Sequence, residues 1–179
     1  TIPLAAQAGE SKQAAVNASE CEVSESCDGQ QGVAVECDSA NGTLKVRPAC
    51  VSEKWTKKCA AKGLYSIWDL IVTEEDEDKR SMITDTKKAT HTCKLNKETY
   101  EIDIVPWPFN VNLLGHCGAS PTAKIGVKVD GKRLFSRELV KDCVKGPEVK
   151  SITLDTKSRT MVEVLQSDTA YLEDESEEE

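Results

Sequence analysis

Apolar and polar residues alternate over short runs along most of this chain, and a period of two is the signature of half-buried β-strands. Residues 99–105 set Tyr100, Ile102 and Ile104 on one side against Glu101 and Asp103 on the other. Residues 122–129 repeat the pattern with Ile125, Val127 and Val129. Shorter strand-like pieces lie at 32–35, 43–47, 90–95, 132–136, 149–154 and 160–165. Asn41-Gly42 and Asp130-Gly131 tolerate positive φ and so predict tight hairpins, while residues 155–158 join the last pair of strands. Pro48 is expected to end its strand. Pro106-Trp107-Pro108 interrupts the strand that begins at Thr99, and residues 110–114 are expected to resume it.

One stretch reads as a helix. Ser52 is a good N-cap, Glu53 falls in the first turn, Lys57, Lys58 and Lys62 lie toward the end, and Gly63 suits a left-handed C′ position. Trp55 and Cys59 are spaced i, i+4 and share a face. Residues 64–72 form the richest apolar run of the first half and predict a central strand. The five consecutive acids at 74–78 then make an exposed hairpin tip, with a return strand from Ser81.

Cysteine usage divides the chain. Five of the eight cysteines (Cys21, Cys27, Cys37, Cys50, Cys59) fall in a segment poor in large apolar side chains, where cross-links substitute for a core. Cys93 sits on a strand beside them and makes three pairs, while Cys117 and Cys143 remain as a fourth. Their connectivity is open, since six cysteines allow about 15 pairings. With so few aromatic anchors, two modest cores are expected rather than one large one. The fold class read from this is mainly β: an α+β N-terminal domain with a small disulfide-stapled antiparallel sheet and one or two helices over 1–97, an antiparallel β-sandwich over 98–172, and an acidic tail at 173–179.

An even cysteine count without a C-x-x-C pair argues against a zinc ribbon or a thioredoxin-like site, and only His91 and His116 offer imidazoles. No cofactor or metal is expected. Six acids in the tail account for most of the formal charge of −8, leaving −2 on the body (−8 + 6). Such a tail repels phosphate and anionic lipid, so nucleic acid and membranes are unfavoured partners. No apolar run reaches the roughly 20 residues of a membrane helix. Thr1 begins the sequence as a processed form would, and the sequons at Asn17 and Asn41 are candidate glycosylation sites. Together these features predict a secreted monomer.

Six cysteines and a helix up to about residue 95, followed by an all-β segment with one further cysteine pair, is an arrangement that resembles the dual-domain effectors Fusarium oxysporum secretes into plant xylem. The segment from Gly115-His116-Cys117-Gly118 through Asp130-Gly131-Lys132 to Asp142-Cys143 also resembles small secreted fungal proteins. The resemblance implies a disulfide-held N-terminal domain, a β-sandwich after it, and a pro-segment removed by a protease. It further implies action in the host apoplast or xylem with later entry into host cells, virulence through contact with a host plant protein, and, for some members, detection by an immune receptor. The family has no shared catalytic motif, so no catalytic residue carries over.

No Gly-rich phosphate loop, G-x-S-x-G elbow or H-E-x-x-H motif occurs, and His116 next to Cys117 is better read as a loop histidine beside a structural sulfur than as a nucleophile pair. A non-enzymatic binding protein is therefore expected. Trp107 between two prolines, and Asp130, Lys132 and Arg133 at a hairpin turn, are the candidate surface-contact residues. The alternative is a carbohydrate-binding, lectin-like module presenting Trp107.

Overall fold

The computed structural model describes residues 20–24, 30–79, 81–107, 122–139 and 148–166. Twelve strands occur there: β1 (Val23–Ser24), β2 (Gln30–Asp38), β3 (Thr43–Val51), β4 (Leu64–Ser66), β5 (Ile71–Glu75), β6 (Ser81–Thr86), β7 (Ala89–Leu95), β8 (Glu98–Trp107), β9 (Thr122–Val129), β10 (Lys132–Glu138), β11 (Glu148–Asp155) and β12 (Thr160–Gln166). The protein is mainly β, and every described strand pair is antiparallel.

Two sheets pack face to face. One runs β12-β11-β3-β2-β4, with β1 added to β3; the other runs β10-β9-β8-β7. The alternation read from the sequence decides which side chains meet between them. Val33, Val35, Leu44, Val46, Ile152 and Leu154 from the first sheet join Tyr100, Ile102, Ile104, Ile125, Val127 and Val129 from the second in one buried core. The outward residues of β8 and β9 include Glu101, Asp103, Lys124 and Lys128, and Asp103 receives Lys128 Nζ at 3.4 Å and the Thr90 hydroxyl at 2.9 Å. A smaller core lies on the other face of the first sheet, where Ala34, Ala49, Val51, Cys59 and Leu64 gather with Cys21 and Trp55.

This arrangement corrects the expected division at residue 97. That boundary falls in the Asn96-Lys97 turn between β7 and β8, which pair over their whole facing length. From the other side, β11 inserts against β3, with Ile152 opposite Val46 and Leu154 opposite Leu44. Both layers of the sandwich thus draw on both halves of the sequence. The physical reason is the shortage of apolar anchors, because neither half has enough of them to cover both faces of its own sheet.

The predicted helix over 52–62 is shorter than expected. Ser52 makes a turn instead, with its hydroxyl accepting from Lys54 N at 3.2 Å and its carbonyl from Trp55 N at 3.0 Å. Thr56 is extended, and only Lys57–Lys62 winds, as a 3-10 helix ended by Gly63 at φ 83. A lysine-rich segment of this length has little helical stability of its own, so packing decides. Cys59 is fully buried in the small core and bonded to Cys21, while Trp55 Nε1 donates to Leu64 O at 3.0 Å.

The run 64–72 is not one strand either. It divides into β4, a 3-10 turn at Trp68–Leu70, and β5. Ile67 and Leu70 both enter the main core, which a period-two strand forbids for residues three apart and a 3-10 turn permits. Trp68, outside that face, is 40% exposed. Among the described residues strand β5 pairs only with β6, as a separate two-stranded ribbon bearing the acidic tip.

Pro48 and Pro106 sit within strands rather than ending them. β11 pairs with β3 from Thr43 to Val46 and β1 only at Cys50 and Val51, so among the described residues Pro48 has β2 on one side and no strand opposite it on the other. Likewise β7 reaches only to Ile104, so among the described residues Pro106 is paired to β9 alone. A residue without an N–H fits where one side of the ladder is missing. The strand expected at 110–114 and the acidic tail lie outside the described residues.

Two disulfides tie these parts. Cys21–Cys59 closes the small outer core, and Cys37–Cys93 links β2 of one sheet to β7 of the other. Cys50 is also disulfide-bonded. Each of these belongs to the six-cysteine set read from the sequence; Cys27, Cys117 and Cys143 lie outside the described residues. Beside the inter-sheet bridge, His91 Nδ1 on β7 meets the Tyr65 hydroxyl on β4 at 2.7 Å, again from sheet to sheet. Burial holds His91 below the ordinary histidine range, partly offset by a hydrogen bond to the Ala60 backbone, and burial raises the Tyr65 phenol.

Candidate functional surface

Strand direction sorts the turns to two ends of the sandwich. The hairpin turns β2–β3, β7–β8, β9–β10 and β11–β12 lie together at one end, and side chains join them into a fixed platform. Thr156, only 5% exposed, donates from its hydroxyl to Gly42 O at 2.5 Å and accepts from Asn96 Nδ2 at 2.7 Å. The Thr156 backbone N–H adds a bond to the same Gly42 carbonyl at 3.0 Å. Arg159 pairs with Glu98 at 2.5 Å, and Glu98 also accepts from the buried Tyr100 hydroxyl at 3.2 Å. Burial is the main reason the Tyr100 phenol is raised, with Arg159 opposing it.

The turns take this form because their sequences demand it. Asp130 at φ 48 and Gly131 at φ 83 give the tight connection that a two-residue hairpin requires. Asp130 Oδ1 also accepts from Thr99 N at 3.1 Å, locking this turn to β8. Asp38 Oδ1 accepts from Ala40 N and Asn41 N, and Asp155 Oδ1 from Lys157 N and Ser158 N. The Asn41 side-chain amide and then its backbone N–H hold the Asp38 carboxyl below the usual range.

Bonds from backbone N–H groups fix the orientation of Asp38, Asp130 and Asp155 but leave their charges in place, so the platform carries these three carboxylates alongside its cations. Lys97, Lys132, Arg133 and Lys157 are exposed and make no ion pair among the described residues. These side chains sit on a rigid base that positions them at little further entropic cost, which favours anionic groups of a partner at those four positions.

The sequence-derived candidates distribute unevenly over this geometry. Asp130, Lys132 and Arg133 fall on the platform, where Asp130 forms the turn and the two cations face outward. Asn41 is exposed there too, its Nδ2 donating to Asp38 Oδ2 at 2.8 Å. Asn17 lies outside the described residues. Trp107 closes β8 opposite Thr122, at the far end of the sheet from Asp130, so the two are not parts of one site; eight residues of β9 separate those ends by about 27 Å. At the acidic ribbon tip, Asp78 N donates to Asp76 Oδ1 at 3.0 Å.

Sequence reasoning missed Trp68, Lys97 and Lys157. Trp68 was hidden inside an apolar run, although the adjoining Asp69 marks the outward face. Lys97 and Lys157 belong to turns whose proximity is long-range and carries no local signal.

The fold defines a disulfide-linked, antiparallel β-sandwich, and disulfides of this kind persist in oxidising compartments. No helix of the described residues is long and apolar enough to cross a membrane. Among the described residues no cluster of His, Cys, Asp and Glu has the geometry to hold a metal ion. No family model, curated protein or solved structure matches the chain.

Proposed function

We propose that the protein is a secreted fungal effector that works by non-catalytic binding to a host plant protein. The observation that carries this reading is the four-turn platform, a rigid surface that presents Lys97, Lys132, Arg133 and Lys157 without ion pairs among the described residues, next to the oriented carboxylates Asp38, Asp130 and Asp155. Loops held on a stiff scaffold are the usual carriers of recognition, and a complementary partner sets acidic groups against these four cations. The resemblance to xylem-secreted effectors supplies the host setting, extracellular first, and the same platform is a surface that an immune receptor would read.

The test is capture from plant extract at graded salt, comparing wild type with the Lys97→Glu/Lys132→Glu/Arg133→Glu/Lys157→Glu variant. Wild type is expected to retain a host protein that the variant loses, with retention falling as salt rises. Retention unchanged by charge reversal would dismiss the platform as the binding surface.

The alternative, a carbohydrate-binding module, is favoured by one observation, the 40% exposure of Trp68, since exposed indoles serve as stacking faces for sugar rings. Binding to a plant or fungal glycan, abolished by Trp68→Ala and unaffected by the platform variant, would establish it instead.

A further inference from the structure

The two packed sheets have four outer edges, and three of them carry features that discourage strand pairing. β4 is three residues long and flanked by both 3-10 turns. β10 is bulged between Arg133 and Phe135 and carries Lys132, Arg133, Arg137 and Glu138. β7 turns Thr90, Thr92 and Lys94 outward. Short length, bulges and charges are the recognised means of blunting an edge.

β12 is blunted less: its one charge, Glu163, is paired with Arg137, and the bulge in its pairing lies on β11, between Val149 and Ser151. It is seven residues long, and among the described residues it pairs only with β11. Val162, Val164 and Leu165 are 54%, 43% and 48% exposed, the three most exposed large apolar residues described. The register assigns their faces. Val162 lies opposite Thr153 and Val164 opposite Ser151, on the outer face; Met161, Glu163 and Leu165 lie opposite Leu154, Ile152 and Val149, on the core side.

An edge of this kind is completed by another extended strand, and its own sequence indicates which. Met161-Val162-Glu163-Val164-Leu165 reads the same in polarity from either direction about Glu163. We propose that β12 is a self-association edge, pairing antiparallel with β12 of a second copy across a two-fold axis at Glu163. In that register Val162 meets the partner's Val164 twice on the outer face, and Met161 meets the partner's Leu165 twice on the inner face. Each apolar side chain of 161–165 is thereby matched, as an isologous contact requires.

The one like-charge meeting, Glu163 with its symmetry mate, is relieved on each side by Arg137, whose Nε lies 3.8 Å from Glu163 Oε2. The antiparallel direction also places the two copies of Gln166 at opposite ends of the paired strands. They lie about 20 Å apart. The product is one sheet continuous through both copies. It departs from the monomer expected from the sequence and stands independently of the proposed host partner.

The test is sedimentation velocity on the full chain from low-micromolar to sub-millimolar concentration, with three variants. Wild type is expected to shift from monomer to dimer. Val162→Lys alone and Val164→Asp alone should remain monomeric, whereas Val162→Lys/Val164→Asp should dimerise again, because each new lysine then faces the partner's new aspartate only in the register centred on Glu163. Far-UV circular dichroism confirms that each variant is folded. Amide exchange across 160–166 should slow as wild-type protein is concentrated, which tests the edge without any substitution. A wild type that stays monomeric throughout, a dimer indifferent to both single substitutions, or a double variant that fails to recover would overturn the proposal. Pairing of the edge with a strand of a host protein in place of a second copy would be among the monomeric outcomes.

Discussion

Replacing both Cys37 and Cys93 by alanine removes the covalent link between the two sheets, and the loss can be worked from the loop it closes. The bridge spans 56 residues of sequence. Loop-closure entropy for that length corresponds to about 4 kcal/mol at 25 °C. The second bridge overlaps this loop, so a denatured chain retaining Cys21–Cys59 has a shorter effective path between residues 37 and 93. Because the dependence on length is logarithmic, the figure changes by only about 0.2 kcal/mol. Both cysteines are partly buried against the main core, so truncation adds a small packing loss to the entropic one.

The assay is urea unfolding followed by intrinsic fluorescence and circular dichroism. With a slope near about 2 kcal/mol per molar urea, the midpoint should fall by roughly 2 M. The two probes should still coincide, because β11 on β3 and β7 on β8 couple both halves of the sequence without the bridge. A shift below about 0.5 M would show that the bridge does not constrain the unfolded chain as argued. Two separate transitions would refute the single interlocked sandwich.

Further outcomes follow from individual contacts. Thr156→Val keeps the shape but deprives Asn96 Nδ2 and Gly42 O of a partner, so thermal or urea unfolding should show a loss of about 1–3 kcal/mol. Gly63→Ala faces both a positive φ and a Cβ that would collide with Val35 O, and should cost about 2–5 kcal/mol in the same assay. His91 is depressed by burial, so the unfolded state binds its proton more readily than the folded one. Stability is then complete above about pH 6.5 and falls as pH drops below it; His91→Gln should flatten that part of the pH profile of the urea midpoint.

Much of the strand content was legible because alternation is local. β8 and β9 were readable residue by residue, and Asp130-Gly131 announced its own turn. The failures share a cause, which is that packing at long range overrode a local pattern. Ser52 carried a helix signal, yet burying Cys59 against Cys21 and aiming Trp55 at Leu64 left room for only a 3-10 segment. Ile67 and Leu70 abandoned a strand because the core needed both. Most consequentially, the pairing of β11 with β3 across more than a hundred residues left no trace in either segment, so a change of texture near Asn96 was read as a domain boundary. The platform was half visible for the same reason: Lys132 and Arg133 stand at a turn anyone can find, while their assembly with Lys97 and Lys157 depends on Thr156 reaching Gly42 and Asn96.

Peptide mass mapping of the unreduced protein, digested where trapped thiols cannot exchange, addresses the interlocked sandwich most directly. The account predicts a peptide pair joined through Cys37 and Cys93 and another through Cys21 and Cys59. Cys93 joined to Cys117, or Cys37 to any cysteine other than Cys93, would contradict it.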